Sequence, residues 1–303
     1  MINRDDVIRI NVGEVIQNRL PGLYRFIPRH VIKWLERLIC QDELNRLLED
    51  NAGKRGAEFC RGVLESLDVK VDVRYPERMP SKENRRVVFV SNHPLGGLDG
   101  MALIDLVQRH YGGQVWFVVN DLLMAVKPLE PVFIPINKFG SQSRDSITRI
   151  DAAFAGDDPV IIFPAGLVSR YRKVPYGGKM VKMVCDLEWH KMFVTKSVQH
   201  HRDIVPLFFN GNNSMDFYRK ANLRKRLGLK FNFEQVLLPR EVFRSRGKRF
   251  TVTVGNIKPY ATLDVKSADG YARAIAGELY LMMNDIEPGV GTKEYINAHC
   301  RKP

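Results

Sequence analysis

The residues best suited to chemistry are a histidine and an aspartate, His93 and Asp99, in the short glycine-rich segment at residues 91–100. Histidine titrates near neutral pH, at a pKa of about 6.5, so it can accept and return a proton. Asp99 is close enough along a folded loop to hold the imidazole in one tautomer, as the carboxylate of a serine-protease triad does. No serine, threonine or cysteine forms a nucleophile elbow beside the pair. The pattern therefore favours a base that activates the substrate's own hydroxyl over a covalent enzyme.

A purely structural interpretation of the same segment is also open. An aspartate near the start of a helix can accept hydrogen bonds from the first N–H groups of that helix. Asp99 precedes residues 101–107, whose apolar spacing suits a helix, so it is a candidate cap as well as a candidate partner of His93. The residue types by themselves do not choose between the two interpretations.

The elements around this segment place it at the end of a buried strand. Residues 86–90 form an apolar run bounded by charge, which predicts a strand, and residues 101–107 predict a helix packed on one face. Open α/β sheets bind their ligands in loops at this position. Three glycines, Gly96, Gly97 and Gly100, allow positive φ angles and close approach of a ligand to the backbone. The N–H groups of Gly96 and Gly97 are candidate donors to an oxyanion.

The rest of the chain alternates between predicted strands and predicted helices. Strands are predicted at residues 69–75, 114–119, 131–136, 159–163, 204–209 and 248–254. Helices are predicted at residues 42–67, 141–155, 179–198 and 267–284. This order predicts an α/β fold with a mostly parallel central sheet flanked by helices and an N-terminal helical lead-in. We divide the chain into an N-terminal helical region, residues 1–75, and an α/β domain, residues 76–303.

The N-terminal region combines apolar, aromatic and basic residues between residues 12 and 40. Pro21 and Pro28 divide this segment into short helices. Phe26 and Trp34, with neighbouring arginines and lysines, suit a helix that lies in the headgroup region of a membrane. An amphipathic helix packed on the protein core has the same pattern. Membrane contact by this region is therefore one of two expectations.

The chain has 303 residues and a formal net charge of +13. Such a charge predicts an anionic partner: nucleic acid, a phosphorylated cofactor, an acidic carrier protein or an anionic lipid surface. None of the common nucleic-acid-binding signatures is present, so nucleic acid is not expected. Basic residues crowd two segments, which are either solvated faces or contacts with anionic lipid: Arg172, Lys173, Lys179 and Lys182, and Arg219, Lys220, Arg224, Lys225, Arg226 and Lys230.

Cysteine spacing and hydropathy indicate the cellular compartment of the protein. The sequence shows no signal peptide and no apolar stretch long enough to span a bilayer. A cytoplasmic protein, peripheral on the inner face of the cytoplasmic membrane, is expected. The cysteines have no paired spacing, which argues against a disulfide framework or a metal site and fits a reducing compartment: Cys40, Cys60, Cys185 and Cys300.

Two further cations follow predicted strands that should end at the same edge of the sheet as His93. Lys138 and Arg170 each lie just beyond such a strand. Two fixed cations there could hold a phosphate, a carboxylate or a pantetheine-linked phosphate group. The alternative is that both side chains lie on the solvated surface.

Asn92-His93-Pro94 followed by Asp99 resembles the histidine–aspartate signature of the glycerolipid acyltransferase superfamily, which includes the lysophosphatidic-acid acyltransferases. Three more blocks follow in that family's order: Phe133-Ile134-Pro135-Ile136-Asn137-Lys138, Phe163-Pro164-Ala165-Gly166 and Ile204-Val205-Pro206-Leu207. Two segments resemble a hemolysin-like branch of this superfamily: His-Pro-Leu-Gly-Gly-Leu-Asp-Gly and Phe-Pro-Ala-Gly-Leu-Val-Ser-Arg. That branch includes O-acyltransferases of bacterial ornithine and glycine lipids.

The sequence departs from the superfamily pattern at three points. Five residues separate His93 from Asp99, where the usual signature has four. Ala165 replaces the usual glutamate, and Arg170 comes two places later than the family's arginine, after Ser169. Loss of the glutamate is consistent with an acceptor that lacks a glycerol phosphate, such as a mono-acylated amino acid.

The resemblance implies an O-acyltransferase that moves a fatty acyl group onto the hydroxyl of a mono-acylated lipid. Acyl carrier protein or acyl-CoA would deliver the acyl group as a co-substrate, with no bound cofactor. His93 would act as the general base, oriented by Asp99. The remaining candidates are substrate-binding residues: Lys138, Arg170, Ser169, Gly166, Gly96 and Gly97.

Two alternatives stay open on the sequence. Within the same class, the acceptor would be lysophosphatidic acid, as in phospholipid synthesis. From another class, the chain would be a basic protein that tethers to membranes or nucleic acid without catalysis.

Overall fold

The structure is a computed structural model that describes residues 9–19, 21–120, 123–124, 126–136, 144–176, 179–228 and 233–284. The described residues form eleven α-helices: α1 (Val12–Arg19), α2 (Pro21–Tyr24), α3 (Arg29–Leu38), α4 (Gln41–Asp50), α5 (Gly56–Ser66), α6 (Leu98–Tyr111), α7 (Arg144–Ala155), α8 (Met192–Gln199), α9 (Met215–Arg226), α10 (Leu238–Phe243) and α11 (Ala268–Leu281). They also form nine strands: β1 (Lys70–Arg74), β2 (Val87–Ser91), β3 (Trp116–Asn120), β4 (Phe133–Ile136), β5 (Val160–Ile162), β6 (Arg170–Tyr176), β7 (Lys179–Cys185), β8 (Asp203–Asn210) and β9 (Arg249–Val254). Short 3₁₀ helices lie at Pro76–Arg78, Lys127–Val132, Phe233–Leu237, Tyr260–Thr262, Val265–Ser267 and Met282–Asn284.

Seven of these strands form one sheet, in the order β1-β9-β8-β2-β5-β3-β4. The five strands from β8 to β4 run parallel to one another. Strand β9 is antiparallel to β8, and the edge strand β1 pairs in parallel with β9. Helices pack on both faces. The predicted α/β fold with a mostly parallel central sheet is confirmed.

The central strand β2 is buried on both faces of the sheet. Val87 and Phe89 belong to the apolar core that α5 and α6 cover, whereas Val88 and Val90 belong to the core that α7, α8 and α11 cover. Successive side chains of a strand point to opposite faces, so a strand between two helical layers needs a continuous apolar run. Polar groups are then accommodated at the end of the strand, where the chain leaves the sheet.

One predicted helix, residues 42–67, is two helices in the structure. Helices α4 and α5 are separated by residues 51–55. Gly53 in this connection has a φ of +81°. The side-chain amide of Asn51, which is buried, donates to the carbonyl oxygen of Leu47 at 2.9 Å. This side chain competes with the helical backbone for hydrogen bonds, and the left-handed glycine completes the break.

The helix predicted at residues 179–198 is wrong in its first half. Strand β7 occupies that half and pairs antiparallel with β6, from Arg170↔Cys185 to Tyr176↔Lys179. The two strands form a separate hairpin beside the main sheet. Two adjacent glycines, Gly177 and Gly178, stand between the strands in the sequence, and such a pair is typical of hairpin turns. The helical interpretation did not use that signal.

Pro21 and Pro28 divide the N-terminal segment into short helices, as expected from the sequence. Helix α2 begins at Pro21, and Pro28 immediately precedes α3. No residue of α3 is buried, and Phe26 and Trp34 are 82% and 59% exposed. None of the described helices is both long enough and apolar enough to cross a bilayer. The division at residue 75 stays a prediction, and β1 of the first region belongs to the main sheet.

A fully buried arginine, Arg202, joins the start of β2 to the end of α7. Its guanidinium donates to the carbonyl oxygen of Val87 in β2 at 3.3 Å. Beyond α7 and at its end, it donates to the carbonyl oxygens of Phe154 at 2.6 Å, Ala153 at 3.1 Å and Asp158 at 2.9 Å, and also to that of Gly156. Burial lowers the pKa of Arg202 to about 10, so the side chain remains charged at neutral pH. One cation therefore satisfies several carbonyl groups that the α7–β5 connection leaves without helical partners.

We expect Arg202→Met to lower the free energy of unfolding by about 3 kcal/mol, because the buried carbonyls lose their donors while the apolar volume is kept. Urea denaturation followed by circular dichroism measures the change. Arg109→Met is the matched control: the exposed Arg109 pairs with Asp105, which keeps Arg61 as a second partner, so stability should change by about 0.5 kcal/mol or less. Equal losses in the two variants would contradict the role assigned to Arg202.

Candidate active site

The loop that follows β2 carries the candidate pair. Strand β2 lies between β8 and β5, and the three run parallel, so their carboxyl ends meet at one edge of the sheet. Loops at residues 92–97, 163–169 and 211–214 leave the sheet there. This edge is where open α/β sheets bind ligands.

His93 and Asp99 are in direct contact. Nδ1 of His93 lies 2.9 Å from Oδ2 of Asp99, whose side chain is completely buried. An ionised carboxylate can only accept hydrogen bonds, so Nδ1 of His93 carries the proton. The other ring nitrogen, Nε2, then presents a lone pair that can accept a proton from a substrate hydroxyl.

Backbone groups of the loop hold Asp99 in its ionised form. Oδ2 accepts hydrogen bonds from the N–H of Leu95 at 2.9 Å and of Gly96 at 3.4 Å, and Oδ1 accepts one from the N–H of Gly100 at 2.9 Å. Burial by itself raises the pKa of Asp99, but His93 and these N–H groups outweigh that effect and bring the pKa below its usual value. A buried carboxylate is thus kept charged at neutral pH.

The position of Asp99 is compatible with both interpretations, the helix cap and the partner of His93. The contact with Gly100 satisfies an N–H of the first turn of α6, as a helix cap does. The other oxygen meets His93. Position alone does not separate a capping role from an orienting one, so the catalytic role stays a prediction.

The imidazole is supported on one face by an aromatic ring. The rings of His93 and Phe163 are stacked, with centroids 4.0 Å apart and planes 19° apart, and Phe163 packs edge-on against Phe117 at 5.3 Å. The side chain of His93 remains 15% exposed. The ring is therefore fixed by Asp99 and Phe163, yet open at one edge to a substrate.

A second buried carboxylate, Asp186, fixes the backbone of the histidine. Its Oδ1 accepts hydrogen bonds from the N–H of His93 at 3.2 Å and from the hydroxyl of Ser169. Its Oδ2 accepts one from the indole N–H of Trp189 at 2.9 Å. The N–H of Ser169 donates in turn to the carbonyl oxygen of His93 at 2.8 Å. Burial raises the pKa of Asp186, since its partners are mostly neutral donors.

Sequence reasoning missed Asp186 because it assigned residues 179–198 to a helix. An aspartate inside a predicted amphipathic helix is expected on the solvated side. In the structure Asp186 comes directly after β7, where the hairpin returns to the sheet edge. Recognition of the Gly177-Gly178 hairpin signal would have placed Asp186 at the base of that hairpin.

Asn92, beside the histidine, joins two strand ends. Its side-chain N–H donates to the carbonyl oxygen of Phe209 at 2.9 Å, and its Oδ1 accepts from the N–H of Phe209 at 2.7 Å. The amide thus continues the pairing of β2 with β8 beyond the regular ladder. This contact explains why an asparagine, rather than an apolar residue, precedes His93.

The predicted substrate-binding glycines have different surroundings. Gly96 has a φ of +86°, and a Cβ atom there would lie 2.7 Å from Leu238 and 2.9 Å from Val168, so only glycine fits. The N–H of Gly96 is directed at Asp99, which leaves that of Gly97 as the better candidate oxyanion donor. Gly166 also has a positive φ, +60°, and its N–H donates to the carbonyl oxygen of Phe163.

The predicted basic residues are only partly described. Lys138 lies outside the described residues. Arg170 is largely buried and donates to the carbonyl oxygen of Val168 at 2.9 Å and to Oε1 of Glu234 at 3.0 Å. The second oxygen of Glu234 lies 3.0 Å from Nε of Arg224. Arg170 is therefore at the site edge with its charge already paired, and its role toward a substrate stays a prediction.

Ala165, which replaces the expected glutamate, is buried. It is 3% exposed and belongs to the apolar core that includes Val90 and Ile162. A carboxylate at this position would be desolvated among apolar side chains unless a partner accompanied it. The change from glutamate to alanine therefore alters the polarity of the loop that follows β5.

Comparison with known proteins identifies the class. A sequence profile described as "Acyltransferase" matches residues 14–286, so the chain belongs to this acyltransferase family. Two similar proteins are named lyso-glycine lipid O-acyltransferase. The one from Phocaeicola vulgatus is 44% identical over 277 residues, which cover 91% of this chain and 96% of that protein. The one from Bacteroides thetaiotaomicron is 43% identical over 260 residues, 86% of this chain and 92% of that protein.

A solved structure is also similar. The crystal structure of the 1-acyl-sn-glycerophosphate acyltransferase PlsC from Thermotoga maritima matches 91% of this chain and 94% of its own, with 14% identity and a TM-score of 0.44. The resemblance expected from the four sequence blocks is confirmed by the family profile and by the two relatives.

We expect Asp99→Asn to fold but to lose acyl transfer by about 10²- to 10⁴-fold in kcat, because the imidazole loses its orienting charge and preferred tautomer. Steady-state rates at saturating substrates measure the loss, and thermal unfolding checks the fold. Asp105→Asn is a matched control: Asp105 is also buried on α6 but pairs with Arg61 and Arg109, away from His93. An Asp99→Asn enzyme with wild-type kcat would show that Asp99 serves only as a cap.

Proposed function

We propose that the protein transfers a fatty acyl group from acyl carrier protein or acyl-CoA to the hydroxyl of a mono-acylated aminolipid, such as a lyso-glycine or lyso-ornithine lipid. The observation that carries the proposal is the buried, ionised Asp99 held 2.9 Å from Nδ1 of His93 at the end of β2. The class of acceptor is supported by the two relatives, whose printed names specify lyso-glycine lipid.

The reaction follows from the protonation state of the pair. Nε2 of His93 accepts the proton of the acceptor hydroxyl as the oxygen attacks the carbonyl carbon of the thioester. The tetrahedral intermediate then collapses: the C–S bond breaks, and the thiol leaves with the proton that His93 returns. Asp99 stabilises the imidazolium between these two steps. These steps use no bound cofactor and no metal.

The developing oxyanion needs hydrogen-bond donors near the thioester carbonyl. The N–H of Gly97, at the start of α6, is the candidate that best fits this need, because the neighbouring N–H of Gly96 is directed at Asp99. The position of Gly97 before the first turn of α6 adds the positive end of the helix dipole.

The acceptor headgroup meets the loop that follows β5. Ala165 removes a carboxylate there, so an anionic headgroup meets less repulsion than in relatives with a glutamate. Arg170, paired with Glu234, and Lys138 are the cations that would attract the carboxylate of an aminolipid.

We also infer that the protein is peripheral on the inner face of the cytoplasmic membrane. Phe26 and Trp34 are exposed in the α3 region beside basic residues, and the net charge of +13 favours an anionic surface. A protein that acylates a membrane lipid must work at that surface.

The enzyme and tether hypotheses differ in their dependence on His93. We expect His93→Ala to reduce acyl transfer by about 10²-fold or more, because the base is lost, while vesicle binding is retained. His110→Ala is a matched control, since this histidine lies at the far end of α6 with Nε2 2.8 Å from the carbonyl oxygen of Pro80. Product formation is followed by mass spectrometry with a long-chain acyl thioester and a lyso-glycine lipid. A wild-type protein that binds vesicles but forms no product would support the tether.

Competition between acceptors tests the substrate class. Lyso-glycine lipid and lysophosphatidic acid are offered at equal concentration with one acyl donor, so the product ratio equals the ratio of the two specificity constants. We expect the aminolipid to be preferred by about 10-fold or more, in line with what a polar headgroup pocket can discriminate. Preference for lysophosphatidic acid would replace the aminolipid assignment with phospholipid synthesis.

A further inference from the structure

A cleft lies between helix α9 and the β6–β7 hairpin. Its volume is about 520 Å³, and its lining combines three cations with apolar and aromatic side chains: Tyr171, Lys182, Met215, Arg219, Asn222, Leu223 and Arg226. The proposed reaction uses none of these residues. The cleft therefore needs an explanation of its own.

Hydrogen bonds and ion pairs beneath the cleft hold its walls together. The side-chain amide of Asn222 on α9 donates to the carbonyl oxygen of Tyr171 on β6 at 3.1 Å. Below this contact, Glu234 pairs with Arg170 of β6 and Arg224 of α9. Helix and hairpin are thus fixed to each other by buried polar contacts, and the cleft is preformed.

The rim of the cleft is apolar as well as basic. Four large apolar side chains on the cleft-facing side of the hairpin, on α9 and just after it are exposed: Met180, Met215, Leu223 and Leu227. Within the described ranges, no carboxylate lies at ion-pair distance from Lys182, Arg219 or Arg226. Exposed apolar groups beside unneutralised cations are the arrangement found on surfaces that enter the headgroup region of a bilayer.

The two walls of the cleft, α9 and β6, are each connected to a further element. Leu38, the last residue of α3, packs on the apolar cluster that contains Phe217 and Tyr218 of α9. Tyr171 of the cleft is two residues after Ser169, whose N–H holds the carbonyl of His93. Helix α9 and strand β6 therefore link the cleft to the N-terminal helices and to the loop that carries the candidate base.

We propose that this cleft is a bilayer-contact site that binds the anionic headgroups of membrane lipids, with the exposed apolar side chains in the upper acyl region. An acidic carrier protein would account for the cations but not for four exposed apolar side chains, one of which lies on the hairpin beside the cleft. The inference rests on the proposed function, since only a lipid acceptor requires contact with a membrane near His93.

Vesicle sedimentation with the full chain tests the site without any substrate. The vesicles are made of phosphatidylcholine alone or with phosphatidylglycerol. We expect Arg219→Gln/Arg226→Gln to weaken binding to the anionic vesicles by about 25-fold, since each basic side chain near the headgroups contributes about five-fold. Leu223→Ser/Met180→Ser should weaken binding to both kinds of vesicle.

A charge-matched control variant distinguishes the effect of the cleft cations on vesicle binding from the effect of the net charge. Arg109→Gln/Lys266→Gln removes two charges from the opposite edge of the sheet, and it should change binding by about two-fold or less because salt screens charges beyond about 8 Å. Circular dichroism verifies that all variants are folded. Equal losses in the control and the cleft variants would overturn the proposal, because net charge alone would then explain binding.

The outcomes distinguish this inference from the proposed function. If wild-type protein acylates the lyso-lipid while the cleft variants bind vesicles normally, the bilayer site is wrong and the enzyme assignment stands. If the cleft variants bind vesicles normally but show a raised KM for acyl carrier protein, the cleft is a carrier dock, which also overturns the site. If the wild type shows the expected vesicle binding but no acyl transfer, the proposed function fails and the bilayer site stands.

Discussion

The hydrogen bond between Nδ1 of His93 and the buried carboxylate of Asp99 is the contact on which the rest of the site depends. A carboxylate in an apolar interior would normally be neutral or unstable. Here the N–H groups of the β2–α6 loop and the imidazole keep it ionised. The glycines of the loop follow from that requirement, because a backbone that wraps around a side chain needs φ angles that other residues avoid. The same requirement sets the tautomer of His93, which leaves a lone pair on Nε2.

Three buried carboxylates organise the edge of the sheet, and each is stabilised differently. Asp99 is stabilised by an imidazole and backbone N–H groups, Glu234 by two arginines, and Asp186 chiefly by neutral donors. Of the two aspartates, only Asp186 has a raised pKa, because burial outweighs the hydrogen bonds from Ser169, Trp189 and the N–H of His93. Asp186 binds the loops after β2 and β5 to each other, and Asn92 binds the loop after β2 to the end of β8. The candidate base is thus held by loops that are distant in sequence.

The β6–β7 hairpin connects the proposed lipid contact with the chemistry. Its base carries Ser169 and Asp186, which fix the backbone of His93, and its outer part forms one wall of the cationic cleft. Helix α9 forms the other wall and is anchored through Glu234 to the first residue of the hairpin, Arg170. The same hairpin therefore fixes the backbone of the candidate base and forms part of the proposed lipid-contact surface.

The sequence by itself determined the strand–loop–helix around His93, the α/β class and the acyltransferase family, because each depends on local periodicity or on a short motif. The apolar run of β2 and the order of the four blocks are visible without tertiary contacts. The Gly177-Gly178 pair signals a turn, but tertiary structure decided that residues 179–185 form a strand, because β7 gains its hydrogen bonds from β6 rather than from its own neighbours. It also decided that Asp186 meets His93, 93 residues away, and that Arg170 pairs with Glu234, 64 residues away. Side chains so far apart in the chain are brought together by the crossing of strands and loops, which no local pattern encodes.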